Sequence, residues 1–113
     1  MIRVYWMLAA LVFGALPVAE ALGASFNCRP YTQRGQCPES LICSEESLSA
    51  LDDQMAGLYF DVRRRMQSGH LKGFRDYQRE WLARRNQCGC NYECLVSEYN
   101  SQIDALTKTL GGQ

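Results

Sequence analysis

The sequence predicts an all-α fold: a small disulfide-stapled three-helix bundle with an irregular N-terminal segment. Three observations predict it. Apolar residues recur at helical spacing in three stretches between residues 44 and 110. No stretch alternates apolar and polar residues for long enough to make a strand. Six cysteines, an even number, follow an N-terminus of the export type.

The N-terminus sets the expected compartment. Arg3 precedes an apolar run from Val4 to about Leu16; Pro17, Ala19-Glu20-Ala21 and Leu22-Gly23-Ala24 follow. A charged start, a short apolar centre and a small-residue end read as a secretory signal peptide. Cleavage fits after Ala21 or after Ala24, and Ala24 is favoured. The expected organisation is a signal peptide over 1–24 and one helical domain over 25–113. A membrane anchor is the rival reading, but a spanning helix needs about 20 uninterrupted apolar residues. Gly14, Pro17 and Glu20 interrupt this run. Cys28 follows Ser25-Phe26-Asn27, which is not the small-residue setting of a lipoprotein cysteine. The expectation is a periplasmic or secreted protein, with no stable membrane insertion after cleavage.

Cleavage after Ala24 leaves 89 of the 113 residues. A chain of that size buries only about 60–65% of its unfolded surface, so its stability needs help. The whole chain has 12 bases and 12 acids. Export removes Arg3 and Glu20, so the balance stays at zero. A zero balance argues against a general nucleic-acid binder. The charges are nevertheless segregated. Pro38–Asp61 carries Glu39, Glu45, Glu46, Asp52, Asp53 and Asp61 and no Lys or Arg. From Val62 to Cys90, eight bases face only Asp76 and Glu80.

The elements follow in order. Residues 25–43 are rich in Cys, Pro, Gly, Gln and Ser and read as an irregular lead-in. Ser44 suits an N-cap, with Glu45 and Glu46 in a first turn where the helix dipole favours acids. Leu48, Leu51, Met55, Leu58, Val62 and Met66 then lie three or four residues apart, one helical face. The first helix is expected over Ser44–Met66. Gln67-Ser68-Gly69-His70 breaks it. Leu71, Phe74, Tyr77, Trp81 and Leu82 give a second helix over His70–Asn86, in which Gly73 costs roughly 1 kcal/mol relative to Ala. Asn91 suits the next N-cap. Tyr92, Leu95, Val96, Tyr99, Ile103, Leu106 and Leu110 form the third apolar face, and Gly111-Gly112 ends it.

Three cysteines crowd into "RNQCGCNYECL", Arg85 to Leu95. Soft thiolates in a C-x-C-x3-C array could hold Cu(I) or zinc. Structural zinc sites, however, pair C-x2-4-C or His ligands, and the single histidine, His70, falls in a loop. Redox catalysis prefers C-x-x-C at a helix start after a strand. An oxidising compartment favours disulfides. Cys28, Cys37, Cys43, Cys88, Cys90 and Cys94 are therefore expected to be structural. Six cysteines allow fifteen pairings, and the sequence does not choose among them. Their placement suggests what individual bridges would do. Cys88 with Cys94 would fix the corner between the last two helices. Cys28 with Cys43 would tie the lead-in to the first helix. Cys37 with Cys90 would then close the longest loop.

No constellation of an enzyme is found. There is no Gly-rich phosphate loop, H-E-x-x-H or G-x-S-x-G. Glu45-Glu46 and Asp52-Asp53 are adjacent pairs, which point in different directions on a helix, so glycosidase chemistry is not expected of them. Arg63-Arg64-Arg65 suits the C-terminal pole of a helix. No cofactor and no metal are expected.

Two blocks resemble a known family. "ICSEESLSALDDQMAGLY" (Ile42–Tyr59) has I-C, then Leu48, Leu51-Asp52, Met55 and Tyr59. "QREWLARRNQCGCNYECLVSEY" (Gln78–Tyr99) has Q-R-x-W-L-x-x-R, then Cys88, Cys94-Leu95 and Tyr99. Together they resemble the LprI-like lysozyme-inhibitor domain, over about Ser25 to Leu106. The family's four cysteines fall on Cys28, Cys43, Cys88 and Cys94; Cys37 and Cys90 are extra and suggest a third bridge. The resemblance implies a bacterial envelope protein that inhibits host c-type lysozyme. Trp81, Tyr59 and Tyr99 are then expected in the core, and Asp52 as an internal cap or bridge.

Such lysozymes are basic proteins with an acidic cleft. An acidic face on the inhibitor would speed encounter, and Glu39, Glu45, Glu46 and Asp53 are the expected lysozyme-facing rim. The Arg63–Arg65 cluster could instead meet the catalytic carboxylates. Two other functions compete: a structural or interaction protein of the cell envelope, and a copper- or zinc-handling protein using Cys88–Cys94.

Overall fold

The three apolar stripes of the sequence become three long helices in the structure, a computed structural model that describes residues 24–112. The expected signal peptide, apart from Ala24, lies outside the described residues. Helix α1 spans Glu39–Ser44, α2 Glu46–Arg65, α3 Leu71–Gln87 and α4 Tyr92–Gly111. A 3-10 turn at Ser68–His70 leads into α3. Among the described residues there is no strand. None of the described helices is long and apolar enough to cross a membrane.

One element corrects the sequence reading. The lead-in is not wholly irregular, because Glu39–Ser44 is helical. Ser44 ends this helix and does not cap α2; its hydroxyl donates back to the Leu41 carbonyl at 3.3 Å. The chain turns extended at Glu45, with φ −97° and ψ 110°, and α2 starts at Glu46. The break is held from the far side, where the Ser49 hydroxyl donates to the Ile42 carbonyl at 2.6 Å. Ile42 is fully buried, so an unpaired carbonyl there would cost desolvation energy. α1 is too short to show a helical period, which is why its six residues read as loop.

The other boundaries move by about a residue, as helix ends generally do. The Asn91 side chain accepts from the Cys94 backbone N–H at 3.0 Å and caps α4 as expected. Arg63, Arg64 and Arg65 occupy the last turn of α2, where the helix dipole favours cations. Gly89 links α3 to α4 with φ +55°, a left-handed conformation that glycine adopts without the Cβ penalty.

The main packing of the bundle is α2 on α4, with α3 also on α4 and α1 on α2. Leu48, Met55, Tyr59 and Val62 of α2 meet Leu95, Tyr99 and Leu106 of α4 in one core. Ile42 joins from α1, Trp81 from α3, and Cys88 from the cap that ends α3. The expected core aromatics are all there: Trp81, Tyr59 and Tyr99 are buried. Each large apolar side chain so buried contributes roughly 1.5–3 kcal/mol. Leu51, Leu58 and Phe74 are only half-buried.

Three disulfides staple this core: Cys28–Cys43, Cys37–Cys90 and Cys88–Cys94, with Cα–Cα distances of 5.8, 5.1 and 5.5 Å. The first ties the lead-in to the end of α1. The last spans the α3–α4 corner across Gly89. The middle one joins the approach to α1 to that same corner, 53 residues away.

Candidate functional site

Three features could serve function: an acidic row on α2, a buried polar cluster, and the groove above that cluster. α2 supplies the first. Its residues Glu46, Ala50, Asp53 and Gly57 are all exposed and follow a spacing of four, three and four. That spacing places them on one side of the helix. Two acids alternating with two small residues make a flat, negative strip, and exposed Glu45 extends it at the helix start. Among the described residues no ion pair engages Glu45, Glu46 or Asp53. Slight burial, and then the neighbouring Asp52 charge, raise the Asp53 carboxyl above its ordinary pKa.

Glu39, grouped with these acids in the sequence, lies elsewhere. It sits on α1 with its side chain 23% exposed, and an oxygen lies 3.7 Å from Arg85 Nη2. It therefore serves the interior more than the rim. Asp52, one residue before Asp53, faces inward and is fully buried. A rotation of about 100° per residue separates these two adjacent acids into core and surface roles.

Asp52 is the centre of the buried cluster. Tyr99 of α4 donates its hydroxyl to Asp52 Oδ1 at 2.7 Å. The backbone N–H of Ser25 donates to Asp52 Oδ2. Arg85 of α3 places Nη1 3.4 Å from the Tyr99 hydroxyl and 3.9 Å from Asp52 Oδ1. Its Nε and Nη2 donate to the Asn86 side chain at 3.2 and 2.9 Å. Its guanidinium also lies over the Phe26 ring, 5.7 Å from the centroid. Burial, then the Asp52 charge, push the Tyr99 hydroxyl far above its ordinary pKa. The phenol thus stays neutral and donates to the carboxylate. Among the described residues every buried polar side-chain atom has a partner.

Arg85 was one of eight bases in a basic segment, and its burial was not anticipated. The signal was present: it follows Trp81 by four residues, which places it on the buried face of α3. Gln102, also buried, accepts from Tyr77 and donates to Gln78, both at 2.9 Å.

The groove above the cluster holds about 560 Å³. Phe26 and Tyr31 of the lead-in, Tyr59 and Phe60 of α2, and Leu82 of α3 line it, with Ser25, Asp52 and Arg85 at its polar end. Phe60 remains 49% exposed. Tyr59 stacks on Phe74, with centroids 4.9 Å apart.

Metal and thiol chemistry fare differently. All six sulfurs are in disulfides, so Cys88, Cys90 and Cys94 offer no thiolate to a soft metal. Among the described residues no three His, Cys, Asp or Glu side chains gather as a metal site. His70 is exposed at the α2–α3 corner beside Arg65 and Met66. Comparison of the chain with protein-family models, curated proteins and solved structures finds no match.

Proposed function

We propose that the protein is exported to the periplasm or beyond and inhibits host c-type lysozyme by protein–protein binding. The observation that carries the reading is the exposed strip Glu46, Ala50, Asp53 and Gly57 on α2, with Glu45 at its start. A flat acidic surface suits a basic enzyme, because complementary potentials steer encounter and set register. The resemblance of Ile42–Tyr59 and Gln78–Tyr99 to the lysozyme-inhibitor domain supports the same reading. Three disulfides fit an oxidising compartment. Glu39 lies outside this rim because it faces Arg85.

Lysis of sensitive cells by a c-type lysozyme, with and without the oxidised protein, tests the proposal. Inhibition by the oxidised form and none by the reduced form is the expected result. Glu46→Lys with Asp53→Lys should then weaken binding about tenfold or more at low salt, and less at high salt. Full lysis at large molar excess would sink the proposal. The half-open groove and exposed Phe60 favour a second reading, an interaction protein of the cell envelope. That reading would stand if lysozyme were unaffected.

A further inference from the structure

Among the described residues, the carboxylates of the buried cluster outnumber its guanidinium by one. Glu39 and Asp52 bring two carboxylates, with side chains 23% and 1% exposed, and Arg85 brings one guanidinium, 7% exposed. Buried carboxylates are costly unless paired. The fourth participant is the backbone nitrogen of Ser25, which donates to Asp52 Oδ2. As an amide this nitrogen carries one hydrogen and no charge. Ser25 is exposed, and Ala24 packs at the edge of the core. The Ala24–Ser25 bond is also the favoured cleavage position of the N-terminal leader.

We propose that Ser25 is the N-terminal residue of the mature protein, and that its α-ammonium group forms an ion pair with the buried Asp52 carboxylate. The inference rests on the reading that the chain is exported. Hydrolysis of the Ala24–Ser25 amide by an export peptidase consumes one water. It leaves a carboxylate on Ala24 and an amine on Ser25, which takes up a proton near neutral pH. The amide donor at Asp52 becomes a cation with three donors, and the Glu39–Asp52–Arg85–Ser25 cluster becomes neutral. Removal of the leader is thereby coupled to the stability of the core. The unprocessed chain leaves the negative cluster unbalanced, and the processed chain balances it.

The groups that face this amine from each packed element set its titration. α1 presents Glu39, α2 presents Asp52, with Asp53 beyond it and Tyr59 along the groove wall, α3 presents Arg85 and α4 presents Tyr99. Tyr31 faces the groove from the lead-in. Two carboxylates close by against one guanidinium favour the protonated amine. Its pKa should lie above the ordinary α-amino value of ~8. A folded-state value above the unfolded one contributes stability below pH ~8 that is lost as pH rises through the folded value.

The test uses the protein exported through its own leader. Mild periodate converts an N-terminal serine, and no other residue at a chain start except threonine, to an aldehyde, with loss of formaldehyde and ammonia. Expected results are a mature mass that starts at Ser25, an amine that titrates above its ordinary value by NMR, and a Tm lowered by about 5 °C or more after periodate treatment. In Asp52→Asn the same treatment should leave Tm unchanged. If that variant does not fold, the amine titration of the unaltered protein decides. A mature chain that starts elsewhere, an amine at its ordinary pKa, or an unchanged Tm after oxidation would each overturn the proposal. None of these readouts involves lysozyme, so the inference and the inhibitor reading can fail separately.

Discussion

Through one hydroxyl, Tyr99 donates to Asp52 and accepts from Arg85. Replacing Tyr99 with Phe keeps the ring against Trp81, whose centroid lies 5.2 Å away, and deletes only that hydroxyl. The buried carboxylate then lacks a donor, which costs about 1–3 kcal/mol. Urea denaturation of Tyr99→Phe should show this loss at pH 7. The two proteins should also differ in alkali. The native chain keeps the Tyr99 proton above its ordinary pKa of 10.0, whereas the unfolded chain releases it near that value. The native state then binds more protons, so stability falls as pH rises above about 10. Tyr99→Phe should lack this component of the alkaline fall, and parallel curves from pH 9 to 11 would contradict the assignment. At this scale the expectation that Asp52 bridges within the fold matches its contacts. Arg85 was legible only in retrospect, because an arginine in a basic run is ordinarily solvated and four-residue spacing from a tryptophan is a weak cue.

Helices α2, α3 and α4 were legible because each carries an apolar stripe long enough to show its period. α1 was not, since six residues cannot show one and Ser44 mimics an N-cap. What makes α1 a separate element is tertiary: Ser49 reaches back to the Ile42 carbonyl, and Cys43 is bonded to Cys28. The Cys37–Cys90 bridge acts between elements. Its 53-residue span makes it worth about 4 kcal/mol on chain-entropy grounds, against about 2 kcal/mol for the six-residue Cys88–Cys94 span. The double variant Cys37→Ser, Cys90→Ser should therefore lose more stability in urea than Cys88→Ser, Cys94→Ser. The opposite order would show that the corner, rather than the long loop, is the staple that matters.

Over the whole molecule, the core is small and the staples supply a large part of what holds it. Full reduction should remove several kcal/mol from a fold whose total stability is about 5–15 kcal/mol. Helical circular dichroism at 37 °C should then fall markedly on reduction and return on reoxidation. A reduced chain that kept its full helical signal would show that the apolar core suffices alone. The segregated charges also resolve at this scale. The acidic segment divides between a solvated strip, Glu45, Glu46 and Asp53, and an inward pair, Glu39 and Asp52. The basic segment contributes one arginine, Arg85, to that interior.

Periodicity, composition and cysteine count by themselves determined the all-α class, the three long helices and their core aromatics, because those properties depend on the local order of apolar residues. They also placed the Asn91 cap, which is a contact between near neighbours. Tertiary structure decided which of fifteen pairings the cysteines make, since a bond between residues 53 apart depends on where the helices lie. It also decided the meeting of Ser25, Glu39, Asp52, Arg85 and Tyr99. These residues come from the lead-in and four different helices, and only the packed bundle brings them together around one buried carboxylate.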